Sequence, residues 1–187
     1  MKETIENTIR QMAKSPEDHD FLVGTITKNC ELFPETEKHG NFGRRDVGTF
    51  VQLNNLFGNF SGKNILDVGC GAKQSGDGLS FTPDLARLLS FTSANVFGID
   101  IGESPNEPYT HLVANLNYQN IGNIVPSGIK FDAIVSQDFF DSPRFINGNG
   151  YSSRLEQDIC RQIRDSLKDE GRFFTDDRII KSSIISS

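Results

Sequence analysis

With 187 residues, 36% apolar and 24% charged, the chain is long enough for one domain with a sizeable core and too short for two ordinary ones. Nineteen lysines and arginines against twenty-five aspartates and glutamates leave a formal charge of −6, which disfavours a nonspecific nucleic-acid binder; the Arg44–Arg45 pair reads as solvated surface. No apolar run reaches the roughly 18 residues of a membrane span, and the start, with Lys2, Glu3 and Glu6, lacks a signal peptide's apolar centre, so a cytoplasmic protein away from membranes is expected.

Ile5, Ile9 and Met12 recur at helical spacing and predict a helix over 3–14. Ser15, Pro16 and Asp18 supply a cap, a first-turn proline and an acidic first turn for a second helix running toward Leu32, and Pro34 argues against its continuation. After a loop at Gly40–Gly43, Asp46 is expected to cap a third helix carrying Val47, Phe50, Val51, Asn54 and Phe57. Residues 1–60 thus read as a helical lead-in or cleft cap, and residues 61–187 as an α/β domain.

The pattern changes at Asn64, where Ile65, Leu66 and Val68 form a short apolar run ending in glycines, as a buried parallel strand does. Further strands are expected over Asn95–Asp100, at Leu112 and Val113, and from Phe131 to Val135. Between them, Pro83 to Phe91 reads as a helix with Leu85, Leu88 and Leu89 on one side. Another helix is expected over 153–170, where Leu155, Ile159, Ile163 and Leu167 share a stripe and Ser153 with Glu156 fits a capping box. Gly171 is expected to stop it, and a fifth strand to begin near Arg172. This alternation predicts an α/β fold with a doubly wound, mainly parallel sheet.

The most specific local feature is Ile65-Leu66-Asp67-Val68-Gly69-Cys70-Gly71, a hydrophobic strand running straight into closely spaced glycines. Lacking side chains, Gly69 and Gly71 admit a ligand close to the backbone, at the strand end where parallel folds build clefts. A strand-to-helix turn that binds nothing is the plainer alternative. A dinucleotide fingerprint fits less well because Gln74 stands at the third glycine position, and a Walker phosphate loop is absent. Cys30, Cys70 and Cys160, like His19, His39 and His111, lack metal-ligand spacing, so no metal is expected.

The stretch from Ile65 to Gly71, followed by Val96-Phe97-Gly98-Ile99-Asp100, resembles the first two motifs of class I S-adenosylmethionine-dependent methyltransferases, a Rossmann-like family. The resemblance implies that Asp67, Gly69 and Gly71 line the methionyl part of S-adenosylmethionine and that Asp100 accepts the ribose hydroxyls. An ionised carboxylate suits two adjacent hydroxyls on chemical grounds as well. Ala114-Asn115-Leu116 is similar to the segment that approaches the adenine, which implies a hydrogen bond from Asn115. Phe131 to Ser136 is similar to the fourth strand and its loop, where Ser136 and Gln137 would line the cleft. Leu167 to Arg172 is similar to the turn before strand five, so the resemblance covers about residues 60–178.

Three features depart from that family. Lys73 stands where a small residue is common, inside an unusually polar loop from Gln74 to Gly78. Ile101 to Thr110 is short for a parallel crossover and holds Pro105 and Pro108, so its helix is expected to be absent or very short. The chain also stops soon after strand five: either residues 179–185 supply a shortened edge, or the edge stays open and recruits a second copy or a partner protein.

The leading expectation is methyl transfer from S-adenosylmethionine to an unidentified nucleophilic acceptor. A noncatalytic, methyltransferase-like binding or regulatory protein is the first alternative, and a nucleotide-dependent oxidoreductase the second. The catalytic residues stay unassigned. Asp138 and Asp141 follow the fourth strand but read as acidic loop residues, whereas Phe139 and Phe140 are placed to wall a cleft.

Overall fold

The computed structural model describes residues 3–38, 42–73, 81–137, 139–140, 153–175 and 178–181. Its centre is a six-stranded sheet in the order β3-β2-β1-β4-β5-β6. The strands are β1 Asn64–Val68, β2 Asn95–Asp100, β3 Thr110–Val113, β4 Phe131–Ser136, β5 Leu167–Thr175 and β6 Arg178–Lys181. The first five run parallel and β6 runs antiparallel to β5. The α/β, mainly parallel architecture expected from the sequence is thus present.

Side chains alternate across the pleat and divide the core into two layers. On one face Ile65, Val96, Ala133, Val135 and Phe174 meet the lead-in helices α1 Glu3–Met12, α2 Pro16–Leu32 and α3 Val47–Phe57, together with α4 Asp84–Ser90. On the other, Leu66, Val68, Ile99, Ile134 and Phe173 meet α5 Ile121–Ile124 and α6 Ser153–Ser166, through Ile121, Ile159 and Ile163. Both faces are covered, so the central strands carry near-continuous apolar runs.

The lead-in forms for local reasons that its sequence carries. Ile5 and Ile9, one turn apart, are buried together. The Ser15 hydroxyl accepts from the Asp18 amide at 3.1 Å, and Pro16 opens α2 where no N–H is missed. One expectation fails here: Asp46 does not cap α3 with its side chain. A π-helical turn, Phe42–Asp46, runs into the helix, so Asp46 already has helical backbone and its carboxylate meets Arg45 instead. Arg45 is therefore not the solvated surface arginine expected; Gly40 and the Arg44 side chain lie outside the described residues.

The C-terminal half also departs from the expected pattern. The helix ends at Ser166, and β5 begins at Leu167 rather than near Arg172. Leu167 satisfies a helical stripe and a strand equally well, and tertiary packing decides: it pairs with Phe131 in a core layer. The register then slips, so that Ala133 faces Arg172. Gly171 sits inside this irregular strand, where a Cβ would lie 2.9 Å from Leu167 Cδ2 and from the Lys168 and Phe131 carbonyls. It is a point of close approach and not a helix stop. The Ser153 side chain of the expected capping box is outside the described residues.

The edge of β5 is not open. Thr175 pairs with Arg178 and Phe173 with Ile180, so β6 protects it with a strand of four residues; residues 182–187 lie outside the description. The β2–β3 connection holds no helix, in keeping with its length and its two prolines. Among the described residues, no helix is long and apolar enough to cross a membrane.

Candidate functional site

Val68 pairs with Ile99, so β1 and β2 end side by side, and the strand order reverses between β1 and β4. A crevice opens at such a reversal in parallel sheets. The glycine loop leaves β1 at this point with φ of 74° at Gly69 and 97° at Gly71, a backbone that favours glycine. The amides of Gly69 and Cys70 donate to the Ile99 carbonyl at 2.8 and 3.2 Å, which binds the loop to the end of β2. The space beside each Cα is already used. A Cβ at Gly69 would lie 2.8 Å from the Phe139 ring, and one at Gly71 would lie 2.9 Å from the Thr82 carbonyl. Phe139 thereby stands as a wall over the loop.

Asp100 closes the other side. Its Oδ2 accepts from the Gly71 amide at 3.0 Å, and its Oδ1 from the amides of Ile101 at 2.7 Å and Gly102 at 3.3 Å. These three amides tie the carboxylate to the glycine loop and to its own turn. Asp100 and the glycine loop form one unit.

Asp67 lies on the lead-in face, in register with Gly98 and Val135. It is 4% exposed and carries no hydrogen bond or ion pair among the described residues. Burial, reinforced by Asp46 and then Asp100 and opposed by Arg45, pushes its carboxyl up to about 8. Asp46 is itself buried and pairs with Arg45 Nε at 3.3 Å. The lead-in is fastened over this point by Gln137, whose side-chain amide donates to the Thr49 hydroxyl of α3. Ser136, at the end of β4, is fully buried, and its hydroxyl has no partner among the described residues.

Asn115 sits after β3 as expected, but its side-chain oxygen accepts from the Asn117 amide at 3.0 Å and so supports a local turn. Nearby, His111 Nε2 donates to the Gly102 carbonyl at 2.9 Å, and its Nδ1 lies 3.2 Å from the Tyr109 hydroxyl. Cys70 Sγ approaches both groups at 3.8 Å. Burial, then the charges of Asp67 and Asp100, pushes this thiol up and disfavours its thiolate. Among the described residues, no group of His, Cys, Asp and Glu is placed to hold a metal.

Lys73, whose role the sequence leaves open, is held by Glu107 at 2.8 Å, and its amide donates to Ser104 Oγ at 3.0 Å. Glu107 also takes the Arg87 guanidinium in a fork at 2.7 and 3.0 Å. Arg87 is fully buried, reaches Glu35 of the lead-in at 3.0 Å and stacks over Phe33 at 4.1 Å. Burial works against the ionised Glu107, yet hydrogen bonds from Arg87 and Lys73 outweigh it and hold the carboxyl below its usual range. This network joins lead-in, α4, β2–β3 connection and glycine loop. Sequence reasoning missed it, although an arginine inside the apolar run Leu85-Ala86-Arg87-Leu88-Leu89 was the signal. Asp77, Asp138 and Asp141 lie outside the described residues.

Fold and site together define a doubly wound, mainly parallel α/β protein in which a glycine loop and an aspartate are joined at the carboxyl ends of β1 and β2 and N-terminal helices pack on one face of the sheet. No family model and no curated protein matches the chain. Among solved structures it is similar to TehB from Haemophilus influenzae (15% identity, TM-score 0.48, 75% of this chain and 43% of that one). It is also similar to an S-adenosylmethionine-dependent methyltransferase from Clostridium acetobutylicum (16%, 0.47, 80% and 56%). A third similar structure is a TehB-like S-adenosylmethionine-dependent methyltransferase from Corynebacterium glutamicum (21%, 0.41, 62% and 54%). The chain spans about half the length of these proteins, and the likeness is one of fold.

Proposed function

We propose that the cleft binds S-adenosylmethionine and that the chain transfers its methyl group to a nucleophilic acceptor. The observation that carries this reading is the hydrogen bond from the Gly71 amide to Asp100, which brings a glycine loop and a ribose-competent carboxylate into one unit at the sheet's reversal point. The cofactor's electrophilic methyl group would supply the chemistry when bound. The residues fit such a group in kind: Asp100 is a carboxylate of the type that accepts ribose hydroxyls, and the acids Asp46 and Asp67 suit a cationic methionyl end. The chain's own work is then to orient donor and acceptor and to exclude water, with Phe139 as one wall and the lead-in as roof. Asn115 and Ser136 stay proposed as adenine-side and cleft-lining residues.

Titration calorimetry on the folded protein with S-adenosylmethionine and its demethylated product tests this reading. The expected result is binding of both, weakened about tenfold or more in Asp100→Asn, a variant that keeps one oxygen for the loop amides. Absence of binding at millimolar ligand refutes the reading. A noncatalytic binding role is the second reading, because none of the described Cys70, Tyr109 and Asp67 side chains is an exposed, ready proton acceptor. Binding without transfer of labelled methyl to a broad panel of oxygen, nitrogen and carbon nucleophiles would favour it.

A further inference from the structure

The exit of the glycine loop is strapped to the β2–β3 connection by backbone and side chain together. The Lys73 amide donates to Ser104 Oγ at 3.0 Å and its ammonium meets Glu107 at 2.8 Å, two residues after the Gly71 amide is taken by Asp100. On its other side Glu107 receives the Arg87 fork, and Arg87 passes on to Glu35 at 3.0 Å while lying over Phe33. Lys73, Glu107, Arg87 and Glu35 thus form a line from loop to lead-in in which two cations balance two acids.

Exposure along this line decides how it responds. The inner pair, Glu107 and Arg87, is fully buried, whereas the ends, Lys73 and Glu35, are 37% and 43% exposed. Separating the buried pair would strand an ion, so an imbalance made at one end is relieved at the other, where a side chain can turn into water. Loss of the Lys73 charge leaves two acids on one guanidinium, and Glu35 is the one able to turn away. Loss of the Glu35 charge leaves two cations on Glu107, and Lys73 is then the one that lets go.

We infer that Glu107 is a positioning residue for the cleft: with Arg87 it relays the state of Glu35 to Lys73, so that the glycine loop holds its ligand-ready shape only while the lead-in is docked. The consequence for a ligand rests on the proposed adenosyl reading, whereas the relay itself does not. By linkage, a ligand that needs the ordered loop also tightens docking of the lead-in.

Hydrogen exchange on the full-length, ligand-free protein reads the relay. The probes are the amides of Gly71 and of position 73 in the loop and of Phe33 and Thr36 in the lead-in, all hydrogen-bonded, with Ile134 of β4 reporting global unfolding. Lys73→Gln should speed exchange about threefold or more at both ends, beyond any change at Ile134, and Glu35→Gln should do the same. Lys73→Arg, which keeps the charge, should stay within about twofold of wild type. A change confined to the substituted end, or an equal rise at Ile134, overturns the relay.

Calorimetry with S-adenosylhomocysteine and with 5′-methylthioadenosine, which lacks the amino-acid head, reads the consequence. Lys73→Gln and Glu35→Gln should each weaken both ligands about threefold to fivefold, and the double variant by less than the product, because either change alone already releases the loop. Lys73→Arg should bind both within about twofold of wild type. Weakening of S-adenosylhomocysteine alone would make Lys73 a direct contact of the amino-acid head, and unchanged affinity for both would make the loop independent of the relay. Either result overturns the positioning role and leaves the cleft reading intact. Failure of both ligands to bind wild type overturns the cleft reading and the positioning role with it, while the exchange rates still decide the relay.

Discussion

Glu107→Gln keeps the shape of a side chain and deletes its charge. In the native protein this fully buried carboxylate receives Arg87 at 2.7 and 3.0 Å and Lys73 at 2.8 Å. The substitution leaves a fully buried guanidinium whose remaining carboxylate, Glu35, is 43% exposed. Breaking a buried pair from one side costs about 3–5 kcal/mol. Because Glu35 still answers Arg87, the lower end applies, about 3 kcal/mol. For a protein of this size that corresponds to a loss of roughly 6–12 °C in Tm. Urea unfolding should show the midpoint falling with the slope unchanged. The double variant Arg87→Met/Glu107→Leu should recover most of the loss, since apolar replacement of a whole buried pair is often neutral. A loss below about 1 kcal/mol for Glu107→Gln, or a double variant as unstable as the two singles added, would refute the view that these charges act as one buried unit.

For Asp67 the folded carboxyl, pushed up to about 8 chiefly by burial, stays protonated while the unfolded one ionises near its ordinary 3.8. Its contribution is therefore full below about pH 4 and is lost as pH rises to about 8, at up to about 1.4 kcal/mol per pH unit. Stability curves of ligand-free wild type and Asp67→Asn should converge at the acid end and separate toward pH 8; parallel curves would contradict this. Gly71→Ala combines φ of 97° with a Cβ 2.9 Å from the Thr82 carbonyl, and chemical denaturation should show a loss of at least about 1 kcal/mol. Gly98→Ala would set a methyl 2.6 Å from the Tyr109 ring and 2.8 Å from Cys70 Sγ; an overpacking loss of about 1–3 kcal/mol is expected in the same assay.

The strands that lead to the cleft were legible because their apolar runs end in glycine or acid, a local pattern that burial on both faces imposes. The bounds of β2 and the presence of α2 follow from short-range chemistry alone. What stayed hidden depends on distant partners. Leu167 reads as helix until Phe131 is known to lie beside it, and Asp46 reads as a cap until the preceding turn proves π-helical. Lys73 had no readable role because its partner Glu107 sits 34 residues away, in a connection with no periodic pattern. Gly69 and Gly71 were recognised as special, but which atoms approach them, the Phe139 ring and the Thr82 carbonyl, is a property of the folded chain.

The shared core of lead-in and sheet also sets a timetable for synthesis. Ile5, Ile9, Leu22, Ile26 and Phe50 are buried against Ile65, Val96, Ala133 and Val135, and the last two belong to β4, which is made only after β1, β2 and β3. At about 5–20 residues per second, the ribosome takes roughly 4–15 s to pass from residue 60 to the end of β4. Until β4 emerges, the apolar stripes of these helices lack Ala133 and Val135, part of the surface on which they dock. A ribosome-associated chaperone that shields these helices until β4 has emerged would match that interval.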